Sequence, residues 1–351
     1  MMDTTPNTSL TVDPGLDSFG FTDEWAGVTA WRNGGAVDGT TRRDSLTATP
    51  QRTVAEPITI SGVGLHSGLP VSVTLRPAGA DSGLWIRRSD ITDRDPMIPA
   101  RWDHVVDTRL CTVLGNQAGV TVSTVEHLMA ALAGLGLDNV ELVVDGPEFP
   151  VMDGSSAAFI APILGAGTRD LAAPRRVVRV LDTVTVQDGE SEATLRPAPR
   201  GLTIDAAIDF ASAAIGRQHR VVTVTPETFR RELADARTFG FRHEVDGLRS
   251  MGLAQGGSLE NAVVVDGDTV MNPEGLRHPD EFVRHKALDA LGDLFLAGHS
   301  MVAVYSASRP SHRLNNMLLR ALFARPDAWR IEPAMVAASD VLTDAADRRL
   351  A

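Results

Sequence analysis

The chain has 351 residues, enough for two domains with sizeable cores. A formal charge of −12 with no dense Lys/Arg cluster argues against nucleic acid as a partner, because phosphate binding needs concentrated positive charge. A single cysteine, Cys111, rules out a disulfide framework or a thiolate-rich zinc site within one chain, so any metal must be held by nitrogen and oxygen.

Hydrophobic and charged fractions of 43% and 22% are those of a globular protein. No apolar run reaches the roughly 18 residues of a membrane span. No basic segment followed by an apolar core marks a signal peptide. These readings point to the cytoplasm.

Residues 1–52, rich in Thr, Asp, Gly, Asn and Ser, lack apolar periodicity and are expected to be a disordered leader. Trp25 and Trp31 are the aromatics that could dock it. Order is expected from Thr53. Ile58 and Ile60 lead into a glycine-rich turn at 62–68, followed by a strand in which Val71, Val73 and Leu75 alternate with polar residues. Because a strand follows, the Gly-x-Gly spacing serves a hairpin rather than a dinucleotide. Cys111 stands in an alternating, strand-like run and reads as a small buried hydrophobe.

A helix is expected over 123–135, a strand over 140–144, then a turn at 148–156 leading into a helix through 164. The stretch 171–176, with Pro174, is the expected domain boundary. The second half begins with strands near 177–180, 184–186 and 193–195, and continues with a helix over 225–236. Mixed structure over 243–262 precedes a hairpin at 263–271. The helix at 278–298 follows, then a strand at 301–305 and a last helix from about 314 to 323. Interleaved helices, frequent hairpin turns and alternating strands favour an α+β fold with antiparallel sheets.

The helix at 278–298 carries the chemistry. Pro279, Asp280 and Glu281 suit its first turn, Gly298 its end, and Leu288, Leu291 and Phe295 form a buried stripe. His285, Asp289 and Asp293 follow at four-residue spacing and stack along one side. Such a row can grip a metal or form a polar seam. In the 123–135 helix, Glu126 admits two readings. Ser123-x-x-Glu126 matches a capping box, and a glutamate beside a metal-ligating histidine can take a proton from an attacking water. His127, His285 and Asp289 would together make a two-His, one-carboxylate metal site. His312, in a loop before the last helix, could act as a general acid if Asp293 faces it. Lys286 could bring positive charge to a substrate.

Five stretches in register resemble one family: 62–68 (GVGLHSG), 123–132 (STVEHLMAAL), 149–155 (FPVMDGS), 236–241 (ARTFGF) and 281–295 (EFVRHKALDALGDLF). Asn315-Asn316 after His312 fits as well. The chain is similar, over roughly 53–335, to the zinc-dependent UDP-3-O-acyl-N-acetylglucosamine deacetylases of lipid A biosynthesis.

The resemblance implies two similar layered domains, 53–173 and 174–335, each a β-sheet packed against helices, with the active site between them and a tail at 336–351. It implies one zinc per chain on His127, His285 and Asp289, and Glu126 as general base. Thr238 would help stabilise the oxyanion, and His312, steadied by Asp293, would protonate the leaving amine. Lys286, Phe239 and Phe241 would line the sugar and nucleotide side. An insert at 243–264 would take the acyl chain, with Leu253, Ala254 and Val264 lining it, and Leu65 is a further substrate-binding candidate. The implied partner is an acylated UDP-sugar. Asp209-Phe210-Ala211-Ser212-Ala213 lacks the His-Pro pair expected after Asp-Phe, which leaves the nucleotide-side contacts unassigned. The rival readings are a related zinc amidohydrolase on another N-acetyl sugar and a catalytically silent sugar-nucleotide-binding homologue.

Overall fold

The computed structural model describes residues 46–337, and the fold is α+β. A five-stranded sheet comes from the first half, in the order Ile58–Val63, Pro70–Pro77, Val140–Val144, Leu84–Arg88, Met97–Pro99. A seven-stranded sheet comes from the second half. Its central strand, Ser300–Ser308, pairs with Ser191–Arg196, Arg176–Val180 and Leu202–Asp209.

The strands form where apolar residues alternate. In Pro70–Pro77 the buried positions are Val71, Val73 and Leu75; in Leu202–Asp209 they are Leu202, Ile204, Ala206 and Ile208. The glycine turn at 62–68 does join two antiparallel strands, as the hairpin reading expected. The sheets are not antiparallel throughout. Val140–Val144 runs parallel to Leu84–Arg88, and Ser300–Ser308 runs parallel to both Arg176–Val180 and Leu202–Asp209. A parallel neighbour needs a long crossover, which hairpin turns read one by one do not reveal.

Six helices lie among the described residues: α1 (Glu126–Leu135), α2 (Ala157–Ala166), α3 (Pro226–Glu232), α4 (Arg242–Ser250), α5 (Glu281–Phe295) and α6 (His312–Phe323). Of α5 only Arg284 and Lys286 are not buried. It packs on Leu202–Asp209, and α1 and α6 lie against it. The approach of α1 to α5 is set by Gly292, where a Cβ would stand 2.1 Å from the Glu126 carbonyl oxygen. That contact brings the start of α1 beside Asp289 and Asp293.

Several boundaries differ from the sequence reading. Residues 46–52 are not leader: Leu46–Ala48 pairs with Met335–Ala337, and Pro50–Val54 pairs with Thr168–Pro174. Such edge pairing is supplied by strands more than a hundred residues away, so local composition does not announce it. The rest of the expected leader, with Trp25 and Trp31, and the tail beyond 337 lie outside the described residues. Helix α3 is shorter than 225–236, α4 occupies the segment read as mixed, and α6 starts at His312 rather than 314. The strand near Cys111 is confined to Val113–Gly115, and Cys111 itself lies in a bend. No helix among the described residues is long and apolar enough to cross a membrane.

Candidate active site

Helix α1 begins with Glu126 and His127, both buried. The capping-box reading of Glu126 is overturned. The helix is preceded by Val125 with no side-chain cap, and Glu126 Oε2 instead accepts the Thr112 N–H at 3.1 Å. The same threonine donates its hydroxyl to Asp293 Oδ1 at 2.6 Å. A distant loop therefore holds both carboxylates, which a local Ser-x-x-Glu pattern could not indicate.

From α5, His285, Asp289 and Asp293 project along one side, as their spacing required. Ligand atoms of His127, His285 and Asp289 all lie within 4.8 Å of one another. Asp289 Oδ1 is 3.3 Å from His285 Nε2 and 3.6 Å from His127 Nε2. His285 Nδ1 faces the Ala236 carbonyl at 3.0 Å; a proton donated there leaves Nε2 with a free lone pair. Asp289 Oδ2 takes a hydrogen bond from Lys286 Nζ at 2.9 Å, while Oδ1 is buried with no hydrogen-bond partner. An orphaned carboxylate oxygen facing two imidazole nitrogens is costly in a protein alone and fits a metal ion well.

His312 and Asp293 do meet: Nδ1 to Oδ2 is 2.9 Å, and Asn315 Nδ2 donates to the same oxygen at 2.9 Å. The other nitrogen, Nε2, is 3.6 Å from Glu126 Oε1. His312 is the first residue of α6, capped by Ser311, and not a solvated loop residue.

Burial decides much of the electrostatics. It pushes Glu126 up to about 7, with Asp293 and Asp289 adding to the shift against His312. Burial alone would lower His312, but the Asp293 and Glu126 carboxylates outweigh it and hold it up at about 9. His285 is pushed down to about 3 by burial, which keeps its imidazole neutral, the form that binds metal. Burial would raise Asp289, yet His285 and Lys286 hold it far below the usual carboxylate range. Three buried acidic side chains, Glu126, Asp289 and Asp293, thus crowd one small region, and a divalent cation there would favour their charged forms. Cys111 is buried, and burial together with Glu126 raises its thiol far out of the reactive range.

The remaining expected residues fall into two groups. Thr238 is fixed through its backbone, donating to the Gly154 carbonyl and accepting from Val263, two residues after the carbonyl that meets His285. Phe239 stands edge-on to Phe282 with centroids 4.9 Å apart, and the Lys286 ammonium lies 5.5 Å over its ring. Phe210 joins Phe239 and Phe241 at 5.7 and 5.8 Å, so the departing Asp209–Ala213 stretch still contributes an aromatic here. The 62–68 turn meets the insert through Gly256 N–H to Leu65 O at 3.0 Å, and Leu65 and Ala254 both approach Gly257, where a Cβ would lie 3.7 Å from Leu65 Cδ1 and 3.9 Å from Ala254 Cβ. Leu253 adjoins them in sequence. Val264 sits on a separate strand, paired with Gly240 between the two phenylalanines.

Sequence reasoning missed Thr112, Gly292 and the Arg237–Glu281 pair. Arg237 Nε donates to Glu281 Oε1 at 2.9 Å, and the Arg237 N–H to the same oxygen at 3.0 Å, both residues buried. The pair ties the 236–238 segment to the first turn of α5, one turn from His285. A glycine interrupting the α5 pattern was the one visible signal among the three.

Comparison with known proteins points to the family that the sequence motifs resemble. The family described as UDP-3-O-acyl N-acetylglycosamine deacetylase matches residues 51–324. A protein of Phenylobacterium zucineum, named UDP-3-O-acyl-N-acetylglucosamine deacetylase, is 53% identical over 281 residues, covering 80% of this chain and 96% of that protein. Proteins of the same name from Shewanella frigidimarina and Shewanella loihica are 46% and 47% identical over 283 residues, covering 80% of this chain and 92% of each.

Proposed function

The chain belongs to the UDP-3-O-acyl N-acetylglycosamine deacetylase family, and from that membership we propose how its own residues remove the N-acetyl group from an acylated UDP-sugar, giving a free amine and acetate for lipid A biosynthesis. One zinc per chain would be held by His127 Nε2, His285 Nε2 and Asp289 Oδ1. Bound there, it supplies positive charge to the oxygen that becomes negative when the amide carbonyl is attacked.

An amide is a poor electrophile with a poor leaving group, so it needs a base for the water and an acid for the amine as well. Glu126, poised near 7, takes a proton from the attacking water. The Thr238 hydroxyl is the candidate second donor to the carbonyl oxygen. His312, charged at neutral pH and steadied by Asp293, gives a proton to the departing nitrogen. Lys286, Phe239 and Phe241 bind the sugar and nucleotide, and the insert with Leu65, Leu253, Ala254 and Val264 takes the acyl chain. A nucleotide-bearing substrate fits a reaction carried out in the cytoplasm.

The observation that carries this reading is the meeting of a buried base and a buried charged acid, 3.6 Å apart, beside three converging metal-ligand atoms. The test is acetate release from the acylated sugar nucleotide, with metal content measured on the same sample. Acetate in step with bound zinc is expected. Full metal occupancy without acetate release would contradict the reading and favour a catalytically silent homologue.

A further inference from the structure

Glu148 has no part in the chemistry above, yet it is a carboxylate 2% exposed. Burying it is tolerable because three donors converge on it. The His66 N–H reaches Oε1 at 2.9 Å, the Ser67 N–H reaches Oε2 at 2.9 Å, and the Thr124 hydroxyl donates to Oε1 at 2.9 Å. Two of these belong to the glycine turn at 62–68, and the third to the residue two before Glu126 and three before His127.

Thr124 is itself unusual. Its φ is +56°, a left-handed conformation that a β-branched side chain avoids unless its surroundings impose it. The residue is 3% exposed; its hydroxyl donates to Glu148, and its side chain also meets the Cys111 thiol. The preceding residue is fixed through the backbone, with Ser123 N–H donating to Pro147 O and Phe149 N–H to Ser123 O. Strain at this joint bears on the direction in which α1 sets out, and α1 sets out with the base and a metal ligand.

On its far side the same turn holds the insert. Gln255 N–H donates to His66 O at 3.1 Å and Gly256 N–H to Leu65 O at 3.0 Å. The approach is so close that a Cβ on Gly256 would lie 2.2 Å from the Gly64 carbonyl oxygen. One connected path therefore runs from 253–257 through the turn and Glu148 to Thr124 and the start of α1.

We propose that Glu148 is a positioning residue that couples the acyl passage to the catalytic helix, through its simultaneous hold on the 62–68 turn and on Thr124. This rests on the reading of the insert as the acyl passage. An acyl chain lying against Leu65 and Ala254 favours the seated turn, the seated turn keeps Glu148 in place, and Glu148 keeps Thr124 in its strained conformation. A ligand shifts such an equilibrium only through contacts it makes in one state and not the other, and the acyl chain has those contacts in the seated state. The 3-O-acyl chain then raises kcat, in addition to lowering KM.

The test compares kcat and KM for the acylated UDP-sugar and for the same nucleotide sugar without its acyl chain. The proteins are the natural chain, Glu148→Gln, Thr124→Gly and Thr124→Ser. Glutamine turns an amide N–H₂ toward donors, and glycine keeps the backbone conformation without the hydroxyl. Both should lower the kcat ratio, acylated over unacylated, by roughly 3- to 30-fold. Serine, which keeps the hydroxyl, should restore the ratio. Should the Glu148 variant fail to fold, the two Thr124 variants still decide, because neither adds bulk. Equal slowing on both substrates, or a change confined to KM, would overturn the coupling. A natural chain whose kcat does not depend on the acyl chain would overturn it too, while leaving the deacetylase reading intact. Absence of acetate release from the acylated substrate would instead defeat that reading, and the coupling with it.

Discussion

The buried seam proposed for catalysis and the insert that follows Phe241 are built in opposite ways. In the seam, Glu126, His127, His285, Asp289, Asp293 and His312 are all buried, and all stand on helices packed against one another. In the insert, no residue of α4 is buried, Met251 is 68% exposed, and Leu259 is also exposed. Chemistry that needs groups held within fractions of an ångström is carried by close-packed helices. The acyl-chain recognition proposed for the insert would fall to a segment with far more of its surface exposed. Substitutions should therefore have large effects on the reaction in the seam, and small, substrate-dependent effects in the insert.

The largest effect is expected for His285→Ala, which should lose metal and activity together. Metal analysis of the purified variant checks this; full occupancy would mean the ligand set is wrong. Next comes Glu126→Gln, which removes the proposed base but none of the three proposed metal ligands. Turnover should fall about 10²–10⁴-fold with metal retained. A normal rate with a lowered Tm would return Glu126 to a purely structural role. Gly292→Ala should be smaller but tests the geometry behind both. A methyl there ordinarily favours a helix by about 1 kcal/mol, yet here it meets the Glu126 carbonyl, so net destabilisation of about 1–3 kcal/mol is expected from overpacking. Thermal unfolding decides the sign, and a rise in Tm would show that α1 and α5 can part freely. The smallest effect belongs to Met251→Ser, which should change stability by less than about 0.5 kcal/mol. It should raise KM for the acylated substrate only, and a loss of kcat on both substrates would erase the contrast between the regions.

The same contrast explains what could be read from the sequence. The row His285, Asp289, Asp293 was legible because a helix converts four-residue spacing into one face, and that spacing survives any packing. Alternation exposed Val71, Val73 and Leu75 for the same reason. Glu126 was ambiguous because a capping box and a buried base share one local pattern. What removes the capping box is the Thr112 N–H, a tertiary partner that bonds to the carboxylate. The strands at Leu46–Ala48 and Pro50–Val54 were invisible for a related reason: their order comes from pairing with 335–337 and 168–174. Thr124 carries no sequence mark at all, since a threonine before a helix usually signals a cap rather than a left-handed strained joint.

The central claim is the division of labour between Glu126 and His312, and the pH dependence of kcat/KM tests it most directly. Glu126 must be deprotonated to act, so the rate should rise as pH passes about 7, the value to which burial lifts it. His312 must be protonated, so the rate should fall as pH passes about 9, the value at which Asp293 and Glu126 hold it. The two groups are 3.6 Å apart, so the limbs describe the pair. Asp293→Asn removes the charge that most strongly raises His312, and with the metal still bound its basic limb should move to lower pH. A basic limb unmoved in Asp293→Asn, and still present in His312→Ala, would take the acid role from His312 and leave Glu126 carrying the proton in both directions.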